Sequence, residues 1–319
     1  MKMIIDGHCD SIQRAFDEKK NINDKELQFT FEKAKKFSSY IQMLAVFVNP
    51  TYTRKENGGF IRANSIIDKF YSEKGNIILI ENENDLNNVI NKQKYGAILT
   101  IENGSAISSN LDNIWKLKQR GVKLMSITWN SDNELGCGAL NKENDTGLTN
   151  LGKEYVKKLV KENILVDVSH SSLKTFYDVM DISNDNIVAT HSCVYKICNH
   201  LRNLRDEQIK LISQKNGIIG ICFCKEFLSK KKANVLDIVK HIDYVVNLVG
   251  IDYVGIRREF DGINKNDLPE GIKDETNIDL IERELYKIGY KENDVDKIMG
   301  ENWIRVLNNI MKEEQSEKT

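Results

Sequence analysis

The chain has 319 residues and a formal net charge of −1, with 46 Lys and Arg residues against 47 Asp and Glu residues. Its hydrophobic share of 40% and charged share of 29% are typical of a globular protein. This charge balance excludes a general electrostatic attraction to nucleic acid or to an anionic membrane surface. We also expect no membrane anchor, because no apolar run reaches about 18 residues. With no leader pattern and six scattered cysteines, we expect free thiols and a cytoplasmic protein.

Apolar, β-branched runs alternate along the chain with polar turns and with segments of helical periodicity. The runs are nearly continuous in apolar residues, as is typical of parallel strands covered by helices. Eight of them are predicted to be strands: Met3–Asp6, Ile41–Val48, Gly96–Glu102, Val122–Thr128, Ile164–Val168, Ile187–Thr190, Gly217–Phe223 and Tyr253–Ile256.

Amphipathic segments between and after these runs predict helices at Asn150–Glu162, Asn234–Val249, Ile278–Ile288 and Asn302–Met311. Eight βα units indicate a (β/α)8 barrel of the TIM type, although strand counting leaves a doubly wound sheet open. No Gly/Ser linker interrupts the chain, so a single domain over residues 1–319 is expected. Its C-terminal helices, at about residues 276–312, would pack on the barrel, and the charged tail Lys312–Thr319 would fray.

A His-x-Asp pair, His8 and Asp10, follows directly on the first predicted strand. Imidazole nitrogen and carboxylate oxygen are both zinc ligands. Two residues separated by one position in extended backbone lean to the same side, so they can bind one ion. A surface histidine beside a turn aspartate is the alternative when the pair is read alone.

Three of the five histidines lie where a predicted strand ends: His8, His170 and His191. Glu102 ends the third predicted strand. In a (β/α)8 barrel the carboxyl ends of all strands face one rim, where active sites form. With Asp10, this gives three imidazoles and two carboxylates, too many for one tetrahedral zinc. The set fits two ions about 3.5–4 Å apart that share a carboxylate.

The order of motifs resembles the membrane (renal-type) dipeptidases, a branch of the metal-dependent amidohydrolase barrels. The resemblance covers nearly the whole chain. The segments that carry it are Asp6-Gly7-His8-Cys9-Asp10, Thr100-Ile101-Glu102-Asn103-Gly104, Gly147-Leu148-Thr149-Asn150-Leu151-Gly152, Asp167-Val168-Ser169-His170, Thr190-His191-Ser192, His200-Leu201-Arg202-Asn203 and Gly300-Glu301-Asn302-Trp303-Ile304-Arg305.

The resemblance implies two zinc ions per chain, one on His8 and Asp10 and the other on His170 and His191, with Glu102 bridging. It also implies that Arg202 binds the substrate carboxylate, that the substrate is a dipeptide, often with a D-residue at its C-terminal position, and that a homodimer is possible. Such chemistry is physically reasonable, because a water between two zinc ions is acidified towards hydroxide and can attack a peptide carbonyl. The departing amine then needs a proton from a nearby acid.

The last predicted strand departs from the family pattern Gly-Ile-Gly-Ser-Asp-Phe-Asp-Gly. Here Glu259 takes the place of the first Asp, which handles the proton, and Arg257 and Arg258 replace a Gly and a Ser. Glu259 is therefore the expected acid/base residue. Its extra methylene can misplace it, and a neighbouring arginine favours its ionised form, which hinders proton donation. Asp261 is expected to be a turn residue and is the fallback acid.

Trp129 stands where many relatives carry a histidine that is thought to stabilise the oxyanion, and we expect it to contact the substrate. Cys224 stands where relatives often carry a tyrosine, and with Cys222 it is predicted to be buried filler rather than a metal site. His200 is expected beside Arg202, His241 as a surface or packing residue, and Lys230-Lys231-Lys232 as a solvated turn.

These residues predict a zinc-dependent dipeptidase. A metal-binding barrel that has lost efficient catalysis and serves binding or regulation is the alternative, which Arg257, Arg258 and Glu259 favour. A third possibility is a hydrolase of another small amide or a lactam.

Overall fold

A computed structural model of the chain describes residues 3–141 and 144–316. Its strands are β1 (Met3–Cys9), β2 (Ser39–Phe47), β3 (Ile78–Leu79), β4 (Tyr95–Glu102), β5 (Val122–Ser126), β6 (Leu165–Asp167), β7 (Ile187–Ser192), β8 (Ile219–Cys222) and β9 (Val254–Arg257). Eight of them pair in parallel in the order β1-β2-β4-β5-β6-β7-β8-β9, and the short β3 pairs with β4 alone. The predicted (β/α)8 barrel is thereby confirmed, and the doubly wound sheet is excluded.

The helices are α1 (Ser11–Asp17), α2 (Phe31–Ala34), α3 (Gly58–Glu73), α4 (Glu83–Asn91), α5 (Asp112–Lys118), α6 (Asn150–Lys161), α7 (Leu173–Ile182), α8 (Asp206–Gln214), α9 (Lys225–Leu228), α10 (Val235–Val249), α11 (Asp279–Lys287), α12 (Glu292–Asp296) and α13 (Asn302–Ser316). Local chemistry sets where they begin. The Thr149 hydroxyl caps α6 by accepting from Gly152 N at 3.0 Å, and Asn234 caps α10 through Leu236 N at 2.8 Å.

The barrel is nearly closed, and a backbone hydrogen bond and side-chain contacts complete the seam between β1 and β9. Asp10 N donates to Phe260 O at 2.9 Å, and Arg258 Nε donates to the buried carboxylate of Asp6 at 2.8 Å. The Trp303 ring from α13 covers the same seam: a Cβ on Gly7 or Gly255 would clash with it. The C-terminal helix therefore packs on the barrel where the first strand meets the last.

Differences from the sequence prediction are small: one short strand is additional, and the ends of other elements shift. β3 has two residues, too few for a periodic signal, and α13 continues to Ser316, past the predicted end at Met311. The rest of the predicted frayed tail lies outside the described residues, and the single-domain assignment over 1–319 stays a prediction. Lys230, Lys231 and Lys232 form an exposed loop, in which Lys232 pairs with Glu270 at 3.0 Å. Within residues 3–141 and 144–316, no helix is both long and apolar enough to cross a membrane.

Candidate metal centre at the carboxyl ends of the strands

Five buried side chains from four separate segments meet at the carboxyl ends of the strands. His8 is in β1 and Asp10 follows it, Glu102 ends β4, His170 follows β6 and His191 is in β7. They form two overlapping groups of possible ligands, His8–Asp10–Glu102 and Glu102–His170–His191, and within each group the ligand atoms lie within 4.8 Å of one another. The structure thus brings together all five residues that the sequence nominated as metal ligands.

The distances within these groups fit a shared ion. His8 Nε2 lies 3.6 Å from Asp10 Oδ2 and 3.3 Å from Glu102 Oε2. His170 Nε2 and His191 Nε2 lie 3.0 and 3.9 Å from the other Glu102 oxygen, Oε1. Two ligands bound to one tetrahedral zinc at its usual bond lengths are roughly 3.4 Å apart. Glu102 therefore offers one oxygen to each group, as a bridging carboxylate does.

The protonation states also favour a cation. The Nε2 atoms of His8, His170 and His191 are buried and have no hydrogen-bond partner among the residues that the structure describes. Burial, aided by Arg202, lowers the pKa of His170 to about 3, and burial with Arg257 lowers that of His191 well below its usual range. Both rings are thus neutral, with a lone pair available.

The carboxylate between the rings is anionic. Burial alone would raise the pKa of Glu102, but the neighbouring His170 and His8 rings outweigh burial and lower that pKa well below its usual range. For His8, burial and Arg257 lower the pKa, whereas Asp10 and Glu102 raise it, and the net direction is upward. The neutral rings of His170 and His191 thus surround the buried anion of Glu102, and a bound cation would balance its charge and accept their lone pairs.

Hydrogen bonds orient two of the imidazoles. His170 Nδ1 lies 2.8 Å from Asn130 Oδ1, an acceptor, so Nδ1 carries the proton and Nε2 faces Glu102. His191 Nδ1 lies 2.7 Å from the Thr190 hydroxyl, which in turn donates to the buried Asp167 carboxylate. Sequence reasoning missed these orienting roles. Asp167 begins the motif that ends at His170, and Thr190 directly precedes His191. This closeness in sequence to two predicted ligands was the one signal available for their roles.

The backbone at His170 is also special. Its φ is +67°, in the left-handed region that non-glycine residues rarely adopt. Two donors hold its carbonyl, Ala139 N at 2.7 Å and Thr128 Oγ1 at 3.1 Å. The chain reverses direction here, between the end of β6 and the start of α7. The strained turn places the His170 ring at the carboxyl ends of the strands.

Arg202 lies in the loop after β7, buried beside the metal-ligand cluster. Its Nη2 donates to His191 O at 3.3 Å, and its Nε has no hydrogen-bond partner within the described part of the chain. Burial lowers the pKa of Arg202 to about 10, so the guanidinium remains charged at neutral pH. His200 stands next to it and accepts from Arg202 N at 3.2 Å through Nδ1.

The segment after β9 places Glu259 at the edge of the cluster. Its carboxylate pairs with the buried guanidinium of Arg257, and Cys222 Sγ lies 3.0 Å from Oε2. Gly262 packs against the same region, where a Cβ would clash with Asp10 Oδ2 and lie 3.3 Å from Glu259 Oε1. Glu259 therefore stands near Asp10 but outside both groups of possible ligands.

Asp261 is engaged elsewhere. Its side chain is fully buried, pairs with Arg14 at 2.7 Å, and accepts from Ser11 Oγ and from Gln28 N at 2.9 Å. These bonds tie the loop after β9 to α1 and to the segment that precedes α2. Asp261 thus has the surroundings of the expected turn residue, and no oxygen is left over for the fallback acid role.

The remaining nominated residues occupy separate surroundings. The Trp129 ring is half-buried beside His170, at 6.2 Å between ring centroids, and contacts Phe47 at 5.4 Å. His241 is buried in α10, where Nδ1 accepts from Val194 N and Nε2 donates to Leu228 O, both at 3.0 Å. Cys222 and Cys224 are buried, and neither is in a cluster of three or more possible ligands within residues 3–141 and 144–316.

Comparison with known proteins identifies a family and a relative. A family model described as membrane dipeptidase (peptidase family M19) matches residues 1–319. An uncharacterized protein in the pqqA 5′ region of Klebsiella pneumoniae is 32% identical over 200 residues, covering 60% of this chain and 73% of that protein.

Two solved structures share the fold. A dipeptidase AC, described as a metallopeptidase of family M19, superposes with a TM-score of 0.87 at 23% identity over 96% of this chain and 98% of that chain. A metallopeptidase from Rhodobacter sphaeroides, liganded with a phosphinate mimic of the dipeptide L-Ala-D-Ala, has a TM-score of 0.84 at 21% identity over 98% and 99% of the two chains.

Proposed function

Because the chain belongs to the membrane dipeptidase family, and is thereby a metal-dependent dipeptidase, we propose that it hydrolyses dipeptides at a centre of two zinc ions bridged by Glu102. The observation that carries this proposal is the pair of overlapping ligand groups that share Glu102. His8 and Asp10 would hold one ion, and His170 and His191 the other. Mixed imidazole and carboxylate ligands suit zinc. When bound, the two ions would supply an acidified water and polarise the peptide carbonyl.

Arg202 is proposed to bind the carboxylate at the C-terminus of the dipeptide. Its guanidinium is buried and charged, and its Nε is without a partner in the described residues. A carboxylate can accept two parallel hydrogen bonds from such a group, which fixes its orientation as well as its position. The phosphinate mimic on the Rhodobacter relative carries a C-terminal D-Ala. We therefore propose that this chain also accepts a D-residue there.

Glu259 is proposed to accept the proton of the attacking water and to return it to the departing amine. Its Oε2 is engaged by Arg257 and Cys222, so Oε1, on the side of Asp10, is the oxygen that would carry the proton. Trp129 is proposed to line the substrate site, because its ring stands beside His170. Its indole N–H can donate one hydrogen bond but carries no charge.

The pairing of Glu259 with Arg257 also favours the second candidate, a metal-binding barrel with little catalysis and a binding or regulatory role. A guanidinium favours the ionised form of a carboxylate, and an ionised carboxylate has no proton to give to a leaving amine. The third candidate keeps the hydrolase but gives it another small amide or a lactam as substrate.

The decisive experiment is a substrate panel on zinc-loaded protein: L–L dipeptides, L–D dipeptides, simple amides and lactams, with amino-acid release as the readout. Turnover restricted to dipeptides, with L–D dipeptides among those hydrolysed, supports the proposal. Two bound zinc ions without turnover of any dipeptide would refute it, and turnover of lactams alone would select the third candidate.

A matched pair of variants locates the acid/base residue. Glu259→Asp shortens the side chain by the methylene that separates it from the family residue, and Glu259→Gln removes the charge at equal length. We expect Asp to retain or raise kcat and Gln to lower it by about 100-fold or more, in line with general acid–base catalysis. Equal activity of wild type and Glu259→Gln would remove Glu259 from the mechanism.

Two further expectations stay predictions. A cytoplasmic location agrees with six buried cysteines that remain unpaired, and cell fractionation tests it. A homodimer follows from the family resemblance alone, and light scattering on the purified protein tests it.

A further inference from the structure

Arg257, the last residue of β9, and Arg258, which follows it, are both buried. Arg257 is 0% exposed and Arg258 is 1% exposed. Arg258 turns to the seam and pairs with Asp6. Arg257 extends the other way, towards the candidate metal centre, as expected for neighbours in a strand, whose side chains alternate between faces.

The guanidinium of Arg257 approaches one half of that centre. Nη2 lies 4.0 Å from Asp10 Oδ2, and Nη1 pairs with Glu259 and lies 3.5 Å from Cys222 Sγ. Neither Nε nor Nη2 has a hydrogen-bond partner among the described residues. A permanent positive charge with an unused donor thus stands beside a carboxylate that would hold one ion.

The other half of the centre has better-prepared ligands. His170 and His191 are each oriented by a partner on Nδ1, whereas Nδ1 of His8 has no partner within residues 3–141 and 144–316. Such orienting partners are typically worth 10- to 100-fold in metal affinity. Arg202, the second buried cation nearby, donates to the backbone carbonyl of His191, and among the described residues it forms no ion pair with Asp10 or Glu102.

We propose that the centre binds its two divalent ions with unequal affinity: the His170–His191 position binds tightly, and the His8–Asp10 position at least about 100-fold more weakly, with Arg257 as the residue that weakens it. Arg257 acts through Asp10, by repelling the ion and competing for the carboxylate, so it is a positioning residue. The inference rests on the proposed metal centre and deepens it. It implies an enzyme whose second ion exchanges readily with the surrounding metal pool.

The test is a zinc titration of metal-free protein against a chelating indicator, with bound metal counted by elemental analysis at each free zinc concentration. Wild type is expected to bind one ion tightly and a second about 100-fold or more weakly. His8→Gln should remove only the weak step, and His191→Gln only the tight one. Two steps within threefold of each other in the wild type would overturn the asymmetry.

Arg257→Gln tests the cause, because it keeps most of the side-chain volume and removes the charge. We expect the weak step to tighten by at least about tenfold. The tight step should change by a clearly smaller factor, although Arg257 also acts on His191. Arg257→Lys, the matched control that keeps the charge, should retain the wild-type asymmetry. If Arg257→Gln does not fold, Arg257→Met carries the same expectation, and an unchanged weak step in a folded neutral variant would overturn the role of Arg257.

No step of this titration involves a dipeptide, so its outcome is independent of the outcome of the substrate panel. Unequal binding without dipeptide turnover would support the inference and refute the proposed function. Equal binding with efficient turnover would do the reverse.

Discussion

Thr190 offers the sharpest way to test whether the rim of the barrel is a prepared metal centre. Its hydroxyl lies 2.7 Å from His191 Nδ1 and donates to the buried Asp167 carboxylate, so it fixes both the tautomer and the orientation of the ring. Thr190→Val keeps the shape of the side chain and removes this link. Loss of such an orienting partner costs about 10- to 100-fold in metal affinity, which corresponds to about 1.4–2.8 kcal/mol.

The assay is competition for zinc between the protein and a chelating indicator. Thr100→Val is the matched control: Thr100 is also a buried strand threonine, and its hydroxyl donates to Leu44 O at 3.2 Å without contact to a ligand. Both variants should lose about 1 kcal/mol of unfolding free energy with their hydrogen bond, but only Thr190→Val should lose zinc affinity. A change in affinity below about twofold, or an equal loss in both variants, would refute the orienting role.

Three further predictions concern stability. Burial lowers the pKa of His170 to about 3, so the unfolded chain takes up a proton near pH 6.5 that the folded chain does not. The free energy of unfolding of metal-free protein should therefore fall as the pH drops from about 6.5 towards 3. His170→Gln should flatten this slope in urea titrations, and an unchanged slope would contradict the prediction. Burial raises the pKa of Glu275 from 4.5 to about 7, so the folded state keeps this proton to a higher pH than the unfolded state does, and the free energy of unfolding falls as the pH rises through this window. Glu275→Gln should stabilise the protein by about 1–3 kcal/mol at pH 8 but not at pH 4. No gain at pH 8 would count against this prediction. Asp6→Asn breaks the buried pair with Arg258 at the barrel seam and should cost about 3–5 kcal/mol of unfolding free energy. The control, Glu32→Gln in the exposed pair with Lys35, should cost under about 1 kcal/mol. Equal losses would show that the seam does not depend on the Asp6–Arg258 pair.

The positions of the five ligands could be predicted from sequence because one geometric rule governs them. His8, Glu102, His170 and His191 lie at strand ends, and a parallel barrel brings those ends to the same rim. The apolar runs showed where the strands are, so the residues just after them could be placed together without knowledge of their contacts. The same rule placed Asp10, which follows β1 by one residue.

What the sequence could not show depends on side-chain contacts and on register. The roles of Asn130, Thr190 and Asp167 follow from hydrogen bonds across three segments, for which no spacing rule exists. Strand alternation implies that Arg257 and Arg258 diverge. Which of them reaches Asp10 depends on the register that pairs Arg257 with Cys222 and on how the barrel closes.

Zinc dependence of dipeptide hydrolysis tests the central claim most directly. The measurement is the rate of amino-acid release from L-Ala-D-Ala by wild-type protein as purified, after removal of metal with a chelator, and after zinc is restored. The proposed function predicts that turnover is lost with the metal and returns with zinc. It also predicts that zinc does not restore turnover in Glu102→Gln, which removes the charge of the shared ligand. Hydrolysis that survives complete metal removal, or zinc-loaded protein that never cleaves a dipeptide, would contradict it.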